Sequence, residues 1–137
     1  MKSHAGHFQI NVNPVNLPFY KDLMNFLGWK MVYEDPTTYG VEDELGVSLW
    51  YTNPLKEGGT DYDRCGMNHV GISVPAQADV DAAVAYLKEH GIPALFDTPR
   101  HRPEFAMNEE YTYYQVMFES PDHILFEIVY MGPLQKT

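Results

Sequence analysis

The chain has 137 residues, 45% of them hydrophobic, which suits one compact domain or two small halves packed together. Nineteen acidic side chains against nine basic ones give a formal net charge of −10, which argues against nucleic acid and anionic membranes as partners because both need a basic face. The one cysteine, Cys65, excludes an intrachain disulfide and points to a reducing compartment.

The first residues, Met1 to Gly6, lack the apolar core of a secretory signal, and no apolar stretch approaches the length of a membrane span. A soluble, cytoplasmic protein is the expectation. The first patterned run is His7–Val12, where Phe8, Ile10 and Val12 alternate with His7, Gln9 and Asn11 at the period of a strand. Asn13-Pro14-Val15-Asn16 breaks it, with Asn16 placed to cap a helix that has Pro18 in its first turn. The spacing of Phe19, Tyr20, Leu23, Met24 and Leu27 predicts that helix over Leu17–Leu27, stopped by Gly28. Three short strands follow at Trp29–Glu34, Tyr39–Glu42 and Gly46–Thr52, with Asp35-Pro36 and Glu42-Asp43-Glu44 marking the turns. The stretch at about 54–65, with Lys56-Glu57-Gly58-Gly59, reads as a linker.

The same order then returns. Met67–Val74 reads as a strand and Gln77–His90 as a helix with a stripe of Val80, Ala83, Val84 and Leu87 and Gly91 after it. Pro93–Asp97 reads as a strand and 99–108 as a polar loop. Tyr111–Glu119 and His123–Tyr130 are strands joined through Ser120-Pro121-Asp122. Each half is strand-helix-strand-strand-strand, and a repeat decides a fold more firmly than any single element. The expected class is α+β: two βαβββ units in tandem, unit one about 5–53 and unit two about 66–131, forming a single domain over 1–137 whose curved mixed sheet makes a cup.

His7 and His69 occupy the same place in the first strand of their units, and Glu127 stands mid-strand at the end of unit two. Two imidazoles and one carboxylate form a ligand set suited to a hard or borderline divalent metal. The bland alternative is a pair of solvated strand histidines and a cross-strand ion pair at Glu127. Against it, burying an unpaired carboxylate is expensive and basic partners are scarce. If the alternation holds, Ser48, Trp50, Tyr113, Gln115 and Met117 turn to the face of the histidines. There they would be substrate walls, with Tyr113 as a proton donor, or else plain aromatic core. Arg100-His101-Arg102 concentrates positive charge in the 99–108 loop, and Arg102 is the candidate grip for a substrate carboxylate or enolate; a solvated loop is the competing reading.

The two histidine strands, the run Asn68-His69-Val70-Gly71-Ile72-Ser73-Val74 and the ending Phe118-Glu119-Ser120-Pro121-Asp122-His123-Ile124-Leu125-Phe126-Glu127-Ile128 resemble the vicinal oxygen chelate superfamily. That superfamily includes glyoxalase I, extradiol dioxygenases, fosfomycin-modifying enzymes and bleomycin-binding resistance proteins. The resemblance covers nearly the whole chain, although Ser120 and His123 depart from the family's Asp-Pro-Asp-Gly turn. It implies a metal-centred cup, a small-molecule substrate and a homodimer. Glyoxalase I carries a fourth ligand, a glutamate, on the last strand of its first unit, where this chain has Ser48 and Trp50. The implied set is therefore the three-ligand one, His7, His69 and Glu127, around a divalent ion for which Fe, Mn, Zn and Ni all qualify. Such an ion would act as a Lewis acid on vicinal oxygens, with Glu127 and Tyr113 as catalytic groups. Dioxygenation, isomerisation, lyase chemistry and epoxide opening all remain open. Two other readings stand beside the enzyme: a metal-free binding protein of the bleomycin-resistance type, and a degenerate relative kept for protein–protein contact.

Overall fold

The period-2 runs form strands and the 3.6-period runs form helices in a computed structural model that describes residues 1–135. The chain divides into two compact units, one over residues 1–59 and the other from Thr60 onward. Each is a βαβββ unit with a four-stranded mixed sheet and one helix.

In the first unit the elements are β1 (His7–Asn11), α1 (Leu17–Phe26), β2 (Lys30–Glu34), β3 (Thr38–Glu42) and β4 (Ser48–Thr52), in the sheet order β1-β4-β3-β2. The crossover through α1 makes β1 and β4 parallel; the hairpins β2-β3 and β3-β4 are antiparallel. Asn16 does not cap α1. Its backbone is already helical, because Pro14–Asn16 forms a 3-10 turn in which the Asn13 side chain accepts the Val15 N–H. Gly28 ends the helix at φ +79, a left-handed value that glycine adopts without steric cost. The helix buries Leu17, Tyr20, Leu23 and Met24 against Tyr39, Val41, Leu49 and Tyr51 of the sheet. The rings of Tyr20 and Tyr51 stack at 4.4 Å.

The second unit comprises β5 (His69–Ser73), α2 (Gln77–Glu89), β6 (Leu95–His101), β7 (Tyr111–Glu119) and β8 (Leu125–Pro133), in the order β5-β8-β7-β6. Its core sets Val80, Ala83 and Leu87 of α2 against Val116, Phe118, Phe126 and Ile128. Each such large apolar side chain contributes about 1.5–3 kcal/mol by leaving water. Asp79 accepts the Ala76 N–H at 3.0 Å and so closes the start of α2.

The third strand of this unit differs from the sequence expectation. β6 runs on to His101, through residues that the sequence reads as loop, and its pairing with β7 breaks between Leu95 and Arg100. Phe96 and Asp97 both take left-handed backbone angles, φ 55 and 56. The buried Thr98 holds this bulge: its hydroxyl donates to Leu95 O at 2.7 Å and accepts Met117 N–H at 3.0 Å. Local periodicity carries no signal for a bulge maintained by a side-chain bond to the neighbouring strand. Among the described residues no helix is long and apolar enough to cross a membrane.

Candidate functional site

Strand register decides which side chains of the second unit share a face. Gly71 of β5 lies beside Glu127 of β8, and Glu127 lies beside Met117 of β7; Val129 and Met131 of β8 oppose Gln115 and Tyr113. Phe126 and Ile128 go to the helix side, so the period of two sends Glu127 to the other side together with His69, Tyr113, Gln115 and Met117. No side chain stands between β5 and the carboxylate, because the neighbouring residue is Gly71.

Glu127 is 3% exposed. Its Oε1 accepts the Tyr113 hydroxyl at 2.8 Å, and its Oε2 lies 3.1 Å from His69 Nε2. Burial, and then the hydrogen bond and negative charge of Glu127, push Tyr113 up to about 12, against a smaller opposing pull from Arg102. Near neutral pH Tyr113 is therefore a proton-bearing donor held against the carboxylate.

Two ligands at right angles on one ion, with bonds of about 2.0–2.2 Å, sit about 3 Å apart. The Nε2 to Oε2 separation of 3.1 Å matches that edge. The donor chemistry, one imidazole and one buried carboxylate, also suits a divalent ion. Among the described residues, however, no group of three or more His, Cys, Asp or Glu side chains is gathered to hold a metal. The structure thus brings His69 and Glu127 together as one imidazole–carboxylate pair.

His7, the third sequence-selected ligand, lies in the first unit, on β1 beside Ser48 of β4. Trp50 Nε1–H donates to Ser48 Oγ at 3.0 Å, and the indole covers Gly40, where an added Cβ would meet Trp50 Cζ3 at 2.7 Å. Ser48 and Trp50 therefore share a face of the first sheet with His7, opposite the face that α1 covers.

A cavity of about 340 Å³ opens beside the His69–Glu127 pair, lined among others by Tyr113, Gln115, Met117 and Arg102. Of the three positive candidates in 99–108, only Arg102 lines it; Arg100 and His101 lie in β6 opposite Gln115 and Tyr114, and the His101 ring packs on that of Tyr114 at 4.5 Å. Arg102 Nε–H donates to Glu104 Oε1 at 2.6 Å, and its guanidinium lies 4.7 Å above the Phe105 ring. The bond from Arg102 holds the Glu104 carboxyl below its ordinary range. Phe105 in turn meets the Tyr113 ring edge-on at 5.5 Å. Gln115 is 2% exposed, and its Nε2 has no hydrogen-bond partner among the described residues. A buried donor left free at a cavity wall is suited to an acceptor on a bound molecule.

Residues 4–128 match the Glyoxalase/Bleomycin resistance protein/Dioxygenase superfamily. The chain belongs to that superfamily. A glyoxalase-family protein of known structure from Bacillus halodurans shares 24% identity, with a TM-score of 0.76 over 92% of this chain and 94% of the other. The fosfomycin resistance protein FosX from Listeria monocytogenes, in complex with Mn(II) and sulfate, shares 20% identity with a TM-score of 0.66, over 98% of this chain and 94% of the other. A glyoxalase/bleomycin resistance protein from Albidiferax ferrireducens T118 shares 17% identity at a TM-score of 0.70, over 91% of this chain and 97% of the other. At these identities the likeness establishes the fold. No curated protein matches the chain.

Six further residues that the sequence did not single out line the cavity of this superfamily member: Tyr62, Asp63, Asn68, Phe96, Phe105 and Leu125. Asn68 had a signal, since it directly precedes a candidate ligand. Tyr62 comes from the linker, Phe96 from the left-handed bulge and Phe105 from the loop after β6, and none of these has a periodicity that aims a side chain.

Proposed function

We propose that the chain is a metal-dependent enzyme acting on a small, oxygen-rich molecule, with His69 and Glu127 as two ligands of a divalent ion. His7 is the third, contributed by this chain or by a second copy in a homodimer, and the working compartment is the cytoplasm. The observation that carries the proposal is the buried Glu127 carboxylate held 3.1 Å from His69 Nε2 at a cavity wall. A carboxylate so enclosed costs stability unless a positive charge meets it. When bound, the ion supplies Lewis acidity to vicinal substrate oxygens at its open positions.

The chain's own groups divide the remaining tasks. Tyr113 donates to Oε1, which leaves Oε2 for the ion and keeps a proton-bearing hydroxyl beside it. Arg102 offers a guanidinium to an anionic substrate group. Gln115 Nε2 offers a donor to a substrate oxygen, and Met117, Phe96 and Phe105 give apolar surface that excludes water. The substrate class is thus a small anion with neighbouring oxygens and an apolar body. In the first unit, Ser48 and Trp50 are the corresponding substrate contacts.

Elemental analysis of purified protein, repeated on His7→Ala, His69→Ala and Glu127→Gln, tests the proposal. About one divalent ion per chain in the wild type, lost in all three variants, is the expected result. A metal-free wild type that takes up an aromatic cation would replace the enzyme with a sequestering protein.

A further inference from the structure

The hydrogen bonds around His69 determine which ring nitrogen carries the proton. Asn68 Nδ2 donates to the Tyr62 carbonyl oxygen at 2.8 Å. Turned over, the amide would place oxygen against oxygen at that distance, so the network settles its orientation. Asn68 Oδ1 is then the atom 2.8 Å from His69 Nδ1. An oxygen in that position requires an N–H, so Nδ1 is protonated. In a neutral imidazole Nε2 is left with its lone pair. That lone pair faces Glu127 Oε2 at 3.1 Å, while the Tyr113 proton is already committed to Oε1. With a neutral ring, two acceptors therefore confront each other, an arrangement that a proton or a metal ion between them relieves.

We propose that Asn68 is a positioning residue that holds His69 in the Nδ1–H form and so presents Nε2 to a divalent metal. This rests on the metal-binding reading above. Asn68 is itself held by the peptide of Tyr62, whose hydroxyl donates to Glu119 of β7. The segment leading into β5 thereby sets the ring's orientation as well as its proton. No other side chain bonds His69 Nδ1 among the described residues.

Zinc binding by competition dialysis and ¹⁵N NMR of the His69 ring test this on the wild type, Asn68→Leu and Asn68→Asp. Leucine removes both bonds; aspartate keeps the acceptor for Nδ1–H. Asn68→Leu is expected to bind Zn²⁺ about tenfold or more weakly, as for other lost partners of metal-bound histidines, and Asn68→Asp to bind as tightly as the wild type or more so. In metal-free wild type and Asn68→Asp the neutral ring should carry its proton on Nδ1; in Asn68→Leu the Nε2–H form should appear. A wild type in the Nε2–H form, or an Asn68→Leu variant unchanged in both tautomer and affinity, overturns the proposal. A wild type that takes up no Zn²⁺ defeats the metal reading alone, because the metal-free ring measurement still decides the role of Asn68.

Discussion

Replacing Glu127 by Gln should make the metal-free protein more stable and the metal-loaded protein less so. The carboxylate is 3% exposed, and its two partners are a tyrosine hydroxyl at 2.8 Å and an imidazole nitrogen at 3.1 Å. Hydrogen bonds to a charged group contribute about 1.5–3 kcal/mol each. The effective penalty for burying one ion is several kcal/mol. With Nε2 presenting a lone pair, only the Tyr113 bond counts in full, so the ionised carboxylate is a net cost. Gln keeps the shape and an oxygen for Tyr113 while removing the charge. The metal-free variant should gain about 1 kcal/mol, or about 4 °C in Tm for a chain of this size. At a Zn²⁺ concentration about a hundred times its dissociation constant, the wild type should gain about 2.7 kcal/mol by linkage, and the variant, lacking its anionic ligand, much less. The order of stabilities therefore reverses. Urea unfolding of both proteins at about pH 8, with chelator and with Zn²⁺, reads this directly. A metal-free variant weaker than the wild type by more than about 1 kcal/mol would show a stabilising His69–Glu127 ion pair instead and refute the reasoning.

Gly40→Ala puts a methyl 2.7 Å from Trp50 Cζ3, so the indole must move off Ser48 Oγ. A loss of about 1–3 kcal/mol is expected, with a shifted Trp50 emission in a Trp29→Phe background; unchanged stability and spectrum would contradict the packing. Tyr114 is pushed up to about 12, by burial first and then by its bond to Asp81. A raised folded value means a contribution fully present below about pH 10 and lost as pH rises through about 12. Tyr114→Phe should therefore flatten the fall of Tm between those values, and an unaltered slope would count against the shift.

Much of the fold is legible from the sequence because strand and helix periods are properties of neighbouring residues. β7 begins and ends where alternation from Tyr111 to Glu119 says, and α2 starts at Gln77. The site is legible only in part. Glu127 stands out because a carboxylate between Phe126 and Ile128 has few basic residues to meet it. Asn68 is marked only by its place beside His69, and its role depends on a carbonyl six residues earlier as well as on that ring. The triplet Arg100-His101-Arg102 looks like one charged patch, yet β6 takes the first two into its ladder and only Arg102 reaches the cavity.

The amino-acid order alone determined the repeated βαβββ pattern, the strands that carry His7, His69 and Glu127, and the net charge of −10. Tertiary structure decided that Glu127 is buried against Tyr113 and His69, that β6 bulges around Thr98, and which way the Asn68 amide faces. Periodicity assigns a side chain to a face of its own strand. The partner it finds there comes from a distant part of the chain, and only the register between strands brings the two together.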